Sequence, residues 1–405
     1  MSSQTNQPRV RKRRVFYIPG YDPIHPRRYR ELYRKESRAQ AEISGYEVSV
    51  SAKSGQGPYG WHVRSHQDGA EVESDIDVLV WSDIVRDSMS TSIPATYVQL
   101  IRTAWIYIAT GTLWRLMRLR KGPVIAALYP VGMLVVQLAL AVVLAGIVIA
   151  ALKPVLTWGA VIPAIVAAGA LMRWFRKIDN RLFAYYLMHD YAYSAQLRGA
   201  VPAGLRSRLS TFVALIQDAL ETDVDEVLVV GHSSGAHLGV MVLADLIRAG
   251  GVADQRPKLS FLTLGQVVPM VSFLPNAHDL RADLQFLAQQ GDLSWVDVSA
   301  PGDGCAFALC DPVGVSGVAT EGAKWPLVLS AAFTQTLSPE RWQALRWRFF
   351  RLHFQYLCAF DRPGEYDYFR ITAGPRFLQQ RFEGRAPSKS RIERPVSKYR
   401  SIVPT

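Results

Sequence analysis

Between Gly122 and Leu152 no side chain is charged, and Gln137 is the only strongly polar one. After Lys153-Pro154 a second uncharged run continues from Val155 to Met172. A helix rises about 1.5 Å per residue, so about 20 apolar residues cross a hydrocarbon core about 30 Å thick. The first run is ample and the second just sufficient, and so short a link makes the pair a helical hairpin. A helical pair buried in a soluble core stays open as an alternative. So does a re-entrant hairpin dipping into one leaflet, because Pro130 and Pro163 interrupt the runs. Arg115, Arg118, Arg120 and Lys121 precede the first run and Arg173, Arg176, Lys177 and Arg181 follow the second, against Lys153 alone at the turn. The positive-inside rule then places both termini and the remaining domain on the cytoplasmic side of an inner membrane. Trp158, Trp174 and Phe175 stand where interfacial aromatics are expected. The stretch Tyr97 to Leu119 carries Trp105, Tyr107 and Trp114 among Arg102, Arg115 and Arg118. It reads either as an amphipathic helix lying in the interface or as an ordinary surface helix.

Outside these runs the 405-residue chain, 49% hydrophobic and 20% charged overall, is apolar enough to bury a core. The net charge of +12 sits at the ends: residues 1–38 hold 11 Lys/Arg against 3 acids, and 370–405 hold 9 against 2. No nucleic-acid reader motif accompanies them, so nucleic acid is not an expected partner and the lipid bilayer is. Cys305, Cys310 and Cys358 are too few for a disulfide framework and lack the spacing of a zinc site. No metal and no cofactor is expected. The basic start is followed only by Val15 to Ile18 before Pro19-Gly20, too short an apolar stretch for a signal peptide.

Strand-like and helix-like segments alternate through the rest. Val15 to Ile18, Val48 to Val50, Trp61 to Arg64, Val78 to Trp81, Glu226 to Val230, Leu259 to Leu264 and Ser294 to Val298 read as strands. Leu205 to Leu220, Ala236 to Ala249, Asp279 to Gln290 and Pro339 to Arg351 read as helices. The second and third strands are expected to pair across the Gly-rich loop Ser54 to Gly60. Such alternation implies an α/β fold with a mostly parallel sheet flanked by helices. The expected organisation is a basic arm (1–14), a first part of the α/β domain (15–121), the hairpin (122–172), a second part (173–383) and a basic tail without structure (384–405). Val313 to Leu337 reads as either a lid or plain core.

The strongest chemical signal is VLVVGHSSGAHLG. Gly231-His232-Ser233-Ser234-Gly235 fits G-x-S-x-G and stands between an expected buried strand and an expected helix. There a tight turn lifts the central hydroxyl clear of the sheet, and glycines at 231 and 235 avoid collision with neighbouring backbone. The register makes Ser233 the nucleophile. The alternative is a turn that merely connects strand to helix or cradles a phosphate.

On these residues the chain resembles the α/β-hydrolase superfamily, in a serine esterase or lipase-like form with a membrane hairpin inserted. The family's order of Ser, then Asp or Glu, then His implies an acid after a late strand and a base beyond it. Asp303, in the loop after Ser294 to Val298, matches the acid position; Asp297 and Asp311 are the alternatives. His353 is the only histidine beyond Asp303, which makes it the base unless it is a packed core ring among Phe350, Phe354 and Tyr356. The resemblance further implies an oxyanion hole from Ser234 and from Gly20 and Tyr21, where Pro19-Gly20 replaces the family's usual His-Gly pair. The expected activity is hydrolysis of carboxylic esters or thioesters, of lipids in particular, through an acyl-enzyme on Ser233. The competing reading is a catalytically inactive membrane scaffold or adaptor of the same fold. A transporter is unsupported, since the runs carry no charge that could form an ion path. Arg27, Arg28, Arg30, Arg34 and Lys35 read as a solvated basic helix face, and Asp83 as either a cap or a partner of a site loop.

Overall fold

The computed structural model describes residues 9–55, 57–89, 92–250 and 257–404. Most of the expected basic arm, residues 1–8, lies outside them. Eight strands form one mixed sheet: β1 (Lys12–Ile18), β2 (Glu47–Ala52), β3 (Gly60–Gln67), β4 (Ala70–Val78), β5 (Glu226–His232), β6 (Lys258–Leu264), β7 (Leu293–Ser299) and β8 (Leu327–Ser330). Their spatial order is β2-β3-β4-β1-β5-β6-β7-β8. β4, β1 and β5 through β8 are parallel, while β2 and β3 are antiparallel additions at one edge.

Side-chain alternation builds two apolar layers. In β1 and β5, Phe16, Ile18, Val227 and Val229 face one core, packed by Leu205, Phe212, Leu238, Val242 and Leu284 from three helices. The alternate residues Val15, Tyr17, Leu228 and Val230 face the other, packed by Tyr29, Tyr33, Leu352 and Phe369. Every residue of β5 is buried, as expected for a parallel strand covered on both faces. At its first residue lies a buried ion pair. Arg13 meets Glu226, both side chains fully buried, and Arg13 also donates to the carbonyls of Gly374 and Arg376 at 2.8 Å.

β2 and β3 pair as expected, with Val50 opposite Val63. β4 runs earlier than the expected Val78 to Trp81, because Trp81 already precedes the helix Ser82–Ser88. Val313 to Leu337 is core: Val313, Val315, Val328 and Leu329 are buried, and the segment supplies β8. The tail corrects an expectation. From Gly384 on it is laid against the domain, with Ile392 N donating to Leu309 O at 2.7 Å and Val396 N to Val315 O at 3.0 Å. Ser401 O accepts from the buried Arg281 guanidinium at 2.7 Å. The tail's basic composition hid this because the backbone, rather than its side chains, makes most of these bonds.

Between β4 and β5 the chain leaves the sheet. One helical stretch, Lys121–Lys177, is long and apolar enough to cross a membrane, and only 17% of its most apolar window is buried. It breaks at Thr157, where φ is 51°, separating the helices Lys121–Leu156 and Val161–Lys177. Tyr129 in the first limb donates to Leu182 O beyond the second at 2.7 Å, so both feet of the stretch stand on the same side. The expected interfacial helix is two helices, Ile93–Ala109 and Thr112–Leu119. The first buries Leu100, Ile106 and Tyr107 and exposes Val98, Ile101, Trp105 and Ile108 along one stripe.

Candidate active site

The C-terminal ends of β1, β5, β6 and β7 lie side by side, so the loops that follow them converge. At the end of β5, Ser233 sits in the left-handed region with φ of 56°, a costly conformation for a residue with a side chain. The turn is closed by its neighbours. A Cβ at Gly231 would come within 2.6 Å of Gly235 O, and one at Gly235 within 2.8 Å of Pro19 O. Ser233 N donates to Leu264 O at 2.9 Å, tying the bend to β6. Its side chain remains partly accessible.

Asp303 and His353, fifty residues apart in sequence, meet below this bend. His353 Nδ1 lies 2.7 Å from Asp303 Oδ2, with the imidazole nearly and the carboxylate fully buried. Oδ2 also accepts from Tyr356 OH at 3.0 Å, and Oδ1 from Cys305 N at 2.9 Å. Tyr356 OH in turn accepts from Ala300 N at 3.0 Å. These contacts fix Asp303 as an acceptor, so Nδ1 carries its proton and Nε2 is left as an acceptor. Nε2 is buried with no hydrogen-bond partner among the described residues, and it is not bonded to Ser233.

His353 is aligned through the residue before the serine. Its carbonyl lies 3.0 Å from His232 Nε2, and the two rings pack with centroids 4.8 Å apart, tilted by 31°. Burial first, and the neighbouring His353 second, push the His232 pKa down to about 3. A neutral ring donating from Nε2 leaves Nδ1 to accept from Tyr17 OH at 3.3 Å.

The loop after β1 closes the opposite side. A Cβ at Gly20 would stand 3.0 Å from Ser233 Cβ and 3.4 Å from its Oγ, so the Gly20 backbone runs directly against the serine. Trp81 Nε1 donates to Pro19 O at 2.9 Å, and Tyr186 OH donates to Tyr21 O, which hold the loop rigid. The backbone N–H groups of Gly20, Tyr21 and Ser234 donate to no backbone acceptor among the described residues. Ser234 caps the helix Gly235–Arg248, whose dipole adds positive potential at this point.

The other acids stand elsewhere. Asp297 is buried within β7 and accepts from Thr263 at 2.6 Å, and burial raises its pKa to about 7. Asp311 caps the helix Pro312–Ser316 through Val313 N and Gly314 N. Asp83 is bound by Arg208 rather than by a site loop. Asp303, Cys305 and His353 place donor atoms within 4.8 Å of one another, an arrangement that could in principle hold a cation. Both carboxylate oxygens are already used by protein donors and burial raises the Cys305 thiol well above its usual range, so the trio is a poor ligand set.

The apolar stretch begins at the edge of this site. A Cβ at Gly122 would touch Gly304 Cα at 3.4 Å, one at Gly304 would touch the Phe349 ring at 3.1 Å, and Arg120 Nε donates to Ala308 O at 2.8 Å. The exposed side chains Trp347 and Phe349 stand beside it. Tyr356 and His232 were not singled out from the sequence. Their roles depend on rings packing against His353, for which a linear pattern carries no signal. In comparison with known proteins, no family model, no curated protein and no solved structure matches the chain.

Proposed function

We propose that the chain is a membrane-anchored serine hydrolase of the α/β-hydrolase type that cleaves carboxylic esters or thioesters through an acyl-enzyme on Ser233. The observation that carries this reading is the convergence of three elements: a strained serine at a strand-to-helix bend, a His353–Asp303 pair at the same sheet edge, and the Gly20 backbone against the serine. His353 Nε2 takes the Ser233 proton as the hydroxyl attacks the carbonyl, and returns it to the leaving alcohol or thiol. Asp303 holds the tautomer and stabilises the imidazolium. The N–H groups of Ser234 and of Gly20 or Tyr21 receive the oxyanion, each donor contributing about 3 kcal/mol in the transition state. Water then enters by the same route in reverse and releases the acid.

The hairpin at 122–172 supports membrane anchoring with the catalytic domain on the cytoplasmic side. Val142, Ile147, Ile162 and Ile165 are each at least 60% exposed, and Trp158 at the turn is 90% exposed. Side chains of this size gain roughly 1.5–3 kcal/mol each on leaving water, which a bilayer supplies. The exposed stripe of Val98, Ile101, Trp105 and Ile108 fits the interfacial plane beside it. Because Gly122 at the foot of the hairpin packs so closely on Gly304 of the Asp303 loop that an added Cβ would touch it, an ester dissolved in the bilayer would reach the site without crossing water.

A second reading is favoured by one observation, the lack of a hydrogen bond between Ser233 and His353: a scaffold that keeps the fold without turnover. Fluorophosphonate labelling separates the two. The parent protein labels and Ser233→Ala does not if the chain is a hydrolase; an unlabelled parent overturns that reading in favour of the scaffold.

A further inference from the structure

Behind the oxyanion loop lies a narrow cleft, open to solvent, with Ser234 and Tyr21 at its wall. Leu205, Met241, Val271 and Leu280 make it largely apolar, as an acyl-chain pocket would be. Three polar groups break that lining. Asp190 is only partly buried and has no hydrogen bond or ion pair among the described residues. His237 is more than nine-tenths buried, is kept neutral with its pKa pushed down to about 4, and its Nδ1 has no partner. Tyr193 OH is likewise buried and unpartnered.

An unpaired buried polar group is costly, and native proteins leave few of them. Two in one cleft, with the unpaired Asp190 carboxyl beside them and a proposed nucleophile nearby, have a common explanation in a ligand that supplies their partners. Asp190 and His237 each have a free acceptor or donor according to protonation, and Tyr193 has both. An ammonium group only donates, and would leave the donor capacity of Tyr193 unmet while placing a charge against a largely apolar wall. A hydroxyl donates and accepts at once and carries no charge. The apolar remainder of the wall suits the methylene chain that bears it.

We infer that this cleft selects a hydroxyl-bearing acyl chain, with Asp190, Tyr193 and His237 as its specificity-determining residues. The inference rests on the hydrolase reading and names the substrate class for that same site. It places the acyl carbonyl at the Ser234 N–H and the chain running between Tyr21 and Met241. Each hydroxyl satisfies groups that an unsubstituted chain leaves orphaned, so the preference acts on kcat/KM.

The experiment uses the full-length chain in detergent micelles and 4-nitrophenyl octanoate beside analogues with a hydroxyl at carbon 3, 5 or 7, and one with a terminal ammonium. At least one hydroxylated ester is expected to exceed octanoate in kcat/KM by about tenfold or more. That ratio falls toward one in Asp190→Leu and His237→Phe and is partly kept in Asp190→Asn. Each ratio is taken within a single preparation, so a loss of folded protein cancels. A parent that labels with fluorophosphonate yet prefers octanoate or the ammonium ester overturns the inference and leaves the hydrolase reading standing. A parent that does not label overturns both.

Discussion

Asp303 is the residue on which the proposed chemistry can be tested most narrowly. Its carboxylate accepts from His353, Tyr356 and Cys305 N, and an amide there would keep the shape while presenting its NH₂ or its oxygen to the ring at random. With the wrong tautomer Nε2 carries the proton and cannot take another. Asp303→Asn should therefore lower kcat by about 10⁴-fold with little change in KM. Tyr356→Phe removes one hydrogen bond to the carboxylate and should cost roughly tenfold. A steady-state comparison on one soluble ester checks both, and equal losses in the two variants would contradict the assigned roles. Ser233 and His353 were legible as candidates in the sequence because a glycine-flanked serine between strand and helix is a local pattern, and chain order then narrows the partners. Choosing among Asp303, Asp297 and Asp311 was not legible: all three follow or end the same strand, and only their hydrogen bonds separate a base-holding acid from a strand residue and a helix cap.

At the scale of elements, β1 and β5 are joined by a charge pair that the apolar pattern of their neighbours does not announce. Glu226 accepts from Arg13, Ser260 and Leu378 N, so every oxygen is used. Removing one partner strands the other without water, and Glu226→Ala should destabilise the protein by about 3–5 kcal/mol. Denaturant unfolding of the detergent-solubilised chain followed by Trp fluorescence reads this directly. A loss below about 1 kcal/mol would mean that Arg13 finds water or another acceptor. The same physics explains which strands were hard to read. β4 carries Glu71, Glu73, Asp75 and Asp77, a run that resembles a solvated loop, yet the alternate residues Val72, Ile76 and Val78 are buried. The acids are paired across the sheet: Arg64 with Glu73, His62 with Asp75, Lys53 with Asp77. A signal was present in Asp68-Gly69, whose φ values of 50° and 71° make the tight turn from β3 into β4. β8, only four residues long, is too short for periodicity to distinguish it from the loops beside it.

Over the whole molecule the buried titrating groups oppose one another. His232 is held at about 3 and His189 and His237 at about 4, so their folded values lie below the unfolded one; their stabilisation is full above about pH 6.5 and is lost as pH falls. Asp190 and Asp297 at about 7, and Asp283 and Asp311 at about 6, have folded values raised above about 3.8. Their contribution is full below that value and is lost as pH rises toward 7. Burial also raises Asp367, so three protons stand against four or five, and stability should change by no more than about 3 kcal/mol per pH unit between pH 4 and 6. Denaturant midpoints across that range check it, and a slope near three protons would show that the carboxyls do not titrate as their burial implies. The larger question at this scale is what covers the apolar stretch. If both limbs span, Trp158 stands on the side of the membrane opposite the sheet domain, whereas a re-entrant stretch leaves it inside the lipid. Trp158→Cys distinguishes these, because the native thiols are poor targets: burial holds Cys310 and Cys358 at about 12 and Cys305 well above its usual range. In spheroplasts an impermeant maleimide should label this variant from outside, and should reach a second variant, Lys389→Cys on the exposed tail, only after lysis. Labelling of Lys389→Cys from outside would invert the orientation that the basic flanks dictate. Protection of Trp158→Cys from both sides would replace the two spans with a re-entrant loop, and would leave the domain attached to one leaflet with its site still at the lipid surface.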